Sequence, residues 1–274
     1  MSVPVSEIQH VDHTAVMNRT KTNTSINIPS DVFEKMYLTP KVPVKGQLRK
    51  TFANPTPIGL MGFLISTTTV ACNLMEWHGS GGEGAALVGV IYVFGGVLQT
   101  IAFLLEWILG NAFAAIVFAF FGSYTFSLAI TFTPSANAEG AFTSGAINAE
   151  HAVAEFKSSF AFFYIACAVT AIMFTICALR TNIIFFIMFL LLGPSQICLA
   201  CSYWASATGD VTRSLALQHI GGALLFAIAV PGWYLLFAQL LVAIEAPFSL
   251  PIGDLSTRLP SASSRKVKDP SGRV

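Results

Sequence analysis

The chain has 274 residues, 54% of them hydrophobic and only 11% charged, with 15 Lys and Arg against 14 Asp and Glu. Ordinary globular domains carry about 25% charged residues. That comparison and a mean hydropathy of +0.67 exclude a soluble or disordered chain and point to the bilayer.

Residues 1–52 are polar and lack the apolar core of a signal peptide, so they are expected to form a flexible cytoplasmic tail. Within it, the sequons at Asn18 and Asn23 read as chance matches. His10-Val11-Asp12-His13 is at most a weak metal binder in a tail.

Asn54-Pro55-Thr56-Pro57-Ile58-Gly59-Leu60 follows. Two prolines behind an asparagine start a helix readily, with Asn54 as cap and Pro55 at the first helical position. The same segment leaves few N–H groups in front of a helix dipole, near one mouth of a membrane protein. That suits a carboxylate; a plain helix start accounts for it equally.

Six apolar runs come next, at 58–77, 85–108, 112–133, 156–178, 183–204 and 216–242. Each is near the roughly 20 residues that cross the hydrocarbon core, and none alternates strictly, which favours a bundle over a barrel. The expected fold is an all-α integral membrane protein with six transmembrane helices over 53–246 and a cytoplasmic C-terminal tail over 247–274. Seven of the Lys and Arg residues precede the first run, five follow the last, and Arg180 lies in a loop on the same side. Only Lys157 and Arg213 fall on the other side, so the positive-inside rule puts both termini in the cytoplasm.

Polar residues inside the runs are costly and therefore candidates for function. In the second run, Phe94-Gly95-Gly96-Val97-Leu98-Gln99 places a glycine pair where a helix or a solute can approach the backbone. Gln99 lies one turn beyond Gly95, free to bond a carboxylate or a neighbouring helix. Glu106, beside Trp107 and Asn111, reads as an interfacial carboxylate in water or as a buried proton-binding group. Asn73 and Glu76 end the first helix, while Gln218 and His219 open the last. The 23 phenylalanines supply rings for lipid-facing surfaces and for an apolar constriction.

No Gly-rich loop ending in Lys-Ser/Thr is present, which argues against an ATP-driven pump. The five cysteines, Cys198-Leu199-Ala200-Cys201 included, lie in apolar runs and read as packing residues. No catalytic pair, cofactor or metal set has a defensible spacing, so neither an enzyme nor a nucleic-acid-binding protein is expected.

These motifs together resemble the acetate uptake transporter family, the SatP-type acetate and succinate permeases of bacteria and fungi, with this chain a divergent, fungal-looking member. The family's Asn-Pro-Ala-Pro-Leu-Gly-Leu stands here as Asn54 to Leu60. Its Tyr-Gly-Gly-x-x-Gln is Phe94 to Gln99, followed in register by Glu106 and Gly110-Asn111-x-Phe113, and Leu250-Pro251-Ile252-Gly253-Asp254 matches its terminal segment. The resemblance covers roughly residues 53–254. It implies a plasma-membrane homo-hexamer, each protomer with a pore for acetate or a similar short monocarboxylate, either proton-coupled or channel-like. By carry-over, the family's Phe, Tyr and Leu constriction falls at Phe63, Phe121 and Leu192. Asn54, Pro55, Phe94 and Gln99 are the accompanying substrate-binding or pore residues, and Glu106 is the candidate for proton coupling.

The chain departs from the family at Phe94 and Phe121, which lose a hydroxyl each, near Thr125, where a Trp is replaced, and at Gly193-Pro194-Ser195-Gln196. The proline there is expected to kink the fifth span and free backbone carbonyls. The long basic tails and lost hydroxyls motivate an alternative reading, a membrane sensor or accessory protein that responds to carbon source or ammonium with little flux.

Overall fold

The computed structural model describes residues 52–253 and 255. The tail readings, including the sequons, His10, His13, Asp254 and the basic ends of the chain, lie outside them. Among the described residues the helices, apart from a 3-10 turn at Trp77–Gly79, are α1 (Thr56–Leu74), α2 (Gly84–Ile108), α3 (Ala112–Phe132), α4 (Ala138–Thr143), α5 (Ala149–Ala178), α6 (Ile183–Ala207) and α7 (Val211–Ala243). All but the short α4 are long and apolar enough to cross a membrane. The described residues begin and end at one face, the terminal face; the 75–83 and 133–148 connections lie at the opposite, loop face.

Several helix bounds depart from the apolar runs, for one physical reason. Hydropathy sees only the part of a helix that sits in hydrocarbon, whereas caps and polar first turns lie beyond it. Thus α5 begins at Ala149, where the Asn148 side chain accepts from the His151 N–H at 3.2 Å. Likewise α7 begins at Val211, capped by Asp210 through the Arg213 N–H at 3.0 Å. Gln218 and His219 therefore lie two turns inside α7 rather than at its opening. At the other extreme α1 stops at Leu74, because Glu76 adopts a left-handed φ of 55°.

The proline pair is also shifted by one residue from the expected register. Pro55 is the N-cap and Thr56 the first helical residue, with Pro57 in the first turn. Asn54 acts just outside, its Oδ1 accepting the Thr56 N–H at 3.0 Å. Prolines are tolerated here because first-turn donors have no intrahelical acceptor. In α6 the helix runs unbroken through Pro194.

Lipid tails are as apolar as leucine, so helix association depends on close packing and small residues. A Cβ at Gly62 of α1 would stand 2.4 Å from the Phe94 carbonyl oxygen of α2. Cβ atoms at Gly95 and Gly96 would meet the side chains of Thr125 and Phe126 on α3, at 2.8 and 2.6 Å. The glycine pair thus admits a helix. Gly222 on α7 accepts α1 in the same way, against Leu74 and the Ala71 carbonyl. Neighbours run α5, α6, α7, α1, α2, α3. Between α3 and the α5–α6 pair the link is made by rings instead: Phe120 with Phe174, Tyr124 with Phe163, Phe132 with Phe160 and Phe121 with Phe189. Large rings hold these helices apart, and an internal cavity lies in that gap.

At the terminal face the chain folds back on itself. The Ile183 N–H donates to the Gly253 carbonyl at 2.9 Å, the Leu255 N–H to the Thr181 carbonyl at 3.0 Å, and the Tyr234 hydroxyl to the Pro251 carbonyl at 2.7 Å. This pins the Leu250–Gly253 segment across the α5–α6 connection.

Candidate functional site

A cavity of about 600 Å³ enters from the loop face and ends near the middle of the bundle. Its mouth carries Glu76, Glu139 and Lys157, the last donating to the Ser206 Oγ at 2.9 Å. Its walls are hydroxyls and rings: Ser66, Tyr124, Thr125, Tyr164, Ser202 and Tyr203. Its floor is Phe63, Phe121 and Leu192, from α1, α3 and α6. All three are buried, and the rings of Phe63 and Phe121 meet edge to face with centroids 4.9 Å apart. The three residues expected at a constriction thus line one cavity from three different helices.

Asn73, Glu76 and Gln218 line the cavity towards the loop face, whereas Asn54, Pro55, Phe94, Gln99 and Glu106 do not line it. Phe94 is half-buried on α2, and its backbone carbonyl faces Gly62. Gln99 is wholly buried beside α1, next to the close approach at Gly62. Its Nε2 donates to the Gly95 carbonyl on its own helix at 2.7 Å, and not to a neighbouring helix. That carbonyl needs a donor, which fixes the amide's orientation and leaves Oε1 buried with no hydrogen-bond partner. The stretch Ile91–Leu98 just before it is π-helical, an irregularity frequent at functional sites.

Glu106 is not an interfacial carboxylate in water: it is 1% exposed. The Thr56 hydroxyl donates to one of its oxygens and the Asn111 amide to the other, at 2.7 Å for the latter. Thr56 opens α1 and Asn111 immediately precedes α3, so one carboxylate at the end of α2 ties three helix ends together. Asn54 and Pro55 stand beside this clasp at the terminal face.

At the loop face, His219 Nε2 lies 3.4 Å from Glu76 Oε2, and Gln218 donates to the Leu74 carbonyl at 3.1 Å. Among the described residues no group of three or more His, Cys, Asp or Glu could hold a metal ion.

Sequence reasoning did not pick out Tyr124, Tyr164 and Tyr203 as cavity residues. One signal was available: the chain has six tyrosines against 23 phenylalanines, and Tyr124 and Tyr164 fall mid-span, where a hydroxyl needs a partner.

Six membrane-spanning helices around a blind, mostly uncharged cavity define a multi-pass membrane protein with an internal solute-sized compartment. The comparisons sharpen the class. Residues 36–257 match the GPR1/FUN34/yaaH family. Protein alcS of Aspergillus fumigatus is 38% identical over 247 residues, covering 89% of this chain and 91% of that protein. Acetate transporter protein patA of Aspergillus clavatus is 30% identical over 208 residues, covering 74% and 78%. The solved bacterial acetate channel SatP superposes with a TM-score of 0.58 at 22% identity, over 74% of this chain and 99% of that one. The chain belongs to the GPR1/FUN34/yaaH family, and its fold is that of the channel.

Proposed function

We propose that this protein is a plasma-membrane permease for acetate or a related short monocarboxylate, which passes through the protomer and crosses the Phe63–Phe121–Leu192 waist. The observation that carries this reading is the cavity itself, which leads from the loop face to an apolar floor of two rings and a leucine. A relative named as an acetate transporter supports this substrate class, and the fold shared with an acetate channel is consistent with it.

The chemistry favours the neutral acid at the waist. The charged groups lining the cavity belong to its mouth, and an unpaired carboxylate deep in hydrocarbon is costly. Gln99 stands behind the waist rather than in the cavity, beside Gly62 and so next to Phe63. Its free atom is an acceptor, and a solute that passes Phe63 would offer it the O–H of a protonated acid rather than a carboxylate oxygen. On the terminal side, Asn54 and the start of α1 receive the solute, with Pro55 holding that turn. Phe94 shapes the α1–α2 contact through its backbone. Glu106 is the group whose protonation two helices would read, through Thr56 and Asn111. The terminal face is cytoplasmic in this reading, and the protomers assemble as a homo-hexamer whose mass in detergent can be measured.

Uptake of labelled acetate by purified protein in liposomes tests it. Saturable uptake above protein-free liposomes, competed by propionate, supports the proposal; uptake equal to protein-free liposomes overturns it.

A further inference from the structure

We infer that Tyr124 and Gln196 form a solute-contacting station directly above the waist, where the Gln196 amide hydrogens meet an oxygen of the carboxyl group. The inference rests on the transport reading and deepens it.

The Tyr124 hydroxyl on α3 donates to Gln196 Oε1 on α6 at 3.2 Å, and both residues line the cavity. This bond spans the gap that is otherwise bridged by rings. It lies close to the floor: Tyr124 is three residues beyond Phe121 and Gln196 four beyond Leu192, about 4.5 and 6 Å along their helices towards the loop face. Gln196 is 2% exposed, so what the amide can offer is set by its neighbours rather than by water. Its oxygen accepts from Tyr124, and its Nε2 hydrogens can donate to a solute. The backbone beneath it is fixed as well, because the adjacent Ser195 Oγ donates to the Gly221 carbonyl of α7 at 2.9 Å.

A solute presenting a carbonyl or carboxylate oxygen in the cavity supplies the acceptor that these hydrogens can use. An ammonium, which has no acceptor of its own, cannot pair with them. In this chain the hydroxyl absent from Phe121 at the waist is supplied one turn outward, and its role is to orient the amide. Tyr124 is therefore a positioning residue and Gln196 the group that touches the solute.

The test is uptake of labelled acetate and labelled methylammonium by the full chain in liposomes, for wild type, Tyr124→Phe, Gln196→Leu and Gln196→Glu. Tyr124→Phe removes one oxygen and should raise the acetate KM about three- to tenfold while changing the maximal rate less than about twofold, the size of one neutral hydrogen bond. Gln196→Leu should raise it about tenfold or more. Gln196→Glu should lose acetate uptake and gain methylammonium uptake. A merely structural role would lower the rate for both solutes together and leave their ratio unchanged, and that result overturns the inference. So does a wild-type acetate KM in both Tyr124→Phe and Gln196→Glu, which keep side-chain size if Gln196→Leu fails to assemble. Wild-type protein that takes up no acetate overturns the transport reading itself, and this inference with it.

Discussion

Phe63 of α1 and Phe121 of α3 meet edge to face at 4.9 Å, and Phe121 is also stacked in parallel on Phe189 of α6. One ring thus takes part in two contacts that close the floor of the cavity from three helices. Edge-to-face pairs of this kind contribute about 0.5–1.5 kcal/mol beyond burial, enough to hold a waist closed and small enough to be opened by a passing solute. Phe121→Ala should admit longer acids: the butyrate-to-acetate uptake ratio is expected to rise about tenfold or more, the scale that a few methylenes of pocket space confer. An unchanged ratio would remove Phe121 from the waist.

The contact of Gly62 with the Phe94 carbonyl gives a stability prediction that does not depend on the substrate. A Cβ at 2.4 Å from a backbone oxygen cannot be absorbed by rotating a side chain. Gly62→Ala should therefore destabilise the bundle by about 1–3 kcal/mol and lower the unfolding temperature in detergent. Gly89→Ala, where an added Cβ meets nothing within 4 Å, is the matched control and should leave that temperature unchanged.

The Thr56–Glu106–Asn111 clasp makes a second one. Thr56→Val keeps the shape of the side chain and removes the hydroxyl that bonds Glu106. Loss of a hydrogen bond to a buried carboxylate costs about 1.5–3 kcal/mol, so the thermal midpoint should fall. Uptake should fall with it if the start of α1 receives the solute. Glu106→Ala removes both bonds and should be the more severe of the two. Equal midpoints for wild type, Thr56→Val and Glu106→Ala would show that the three helix ends are held by other contacts.

At Gln99 the expected outcome separates the neutral acid from the anion. Gln99→Leu removes the buried acceptor and should cut acetate uptake by about tenfold while leaving the folded yield intact. Asn54→Ala, at the terminal face, should also abolish uptake while the protein still reaches the membrane. Normal uptake in both variants would dismiss the site assignment.

How much of this was legible in the sequence differs from residue to residue. The six spans are written in hydropathy, because crossing hydrocarbon requires about 20 apolar residues whatever the neighbours do. The waist positions Phe63, Phe121 and Leu192 were reached through family resemblance; periodicity alone does not choose among 23 phenylalanines. Helix starts at Asn148 and Asp210 were missed, although Asn and Asp are strong N-cap residues, because attention to apolar runs stops where polar first turns begin. Glu106 looked exposed because it stands near the end of a run. Its burial depends on Thr56, fifty residues away, and on how three helix ends converge. The same is true of Tyr124 and Gln196, which become a pair only once α3 and α6 face each other across the cavity.

The most direct measurement is acetate uptake into proteoliposomes with and without an inward proton gradient, at one total acetate concentration and corrected for protein-free liposomes. If the neutral acid crosses the waist, uptake is saturable, rises with the gradient, and loses that rise in Gln99→Leu. Saturable uptake that ignores the gradient, in wild type and variant alike, would contradict the account and assign the path to the acetate anion.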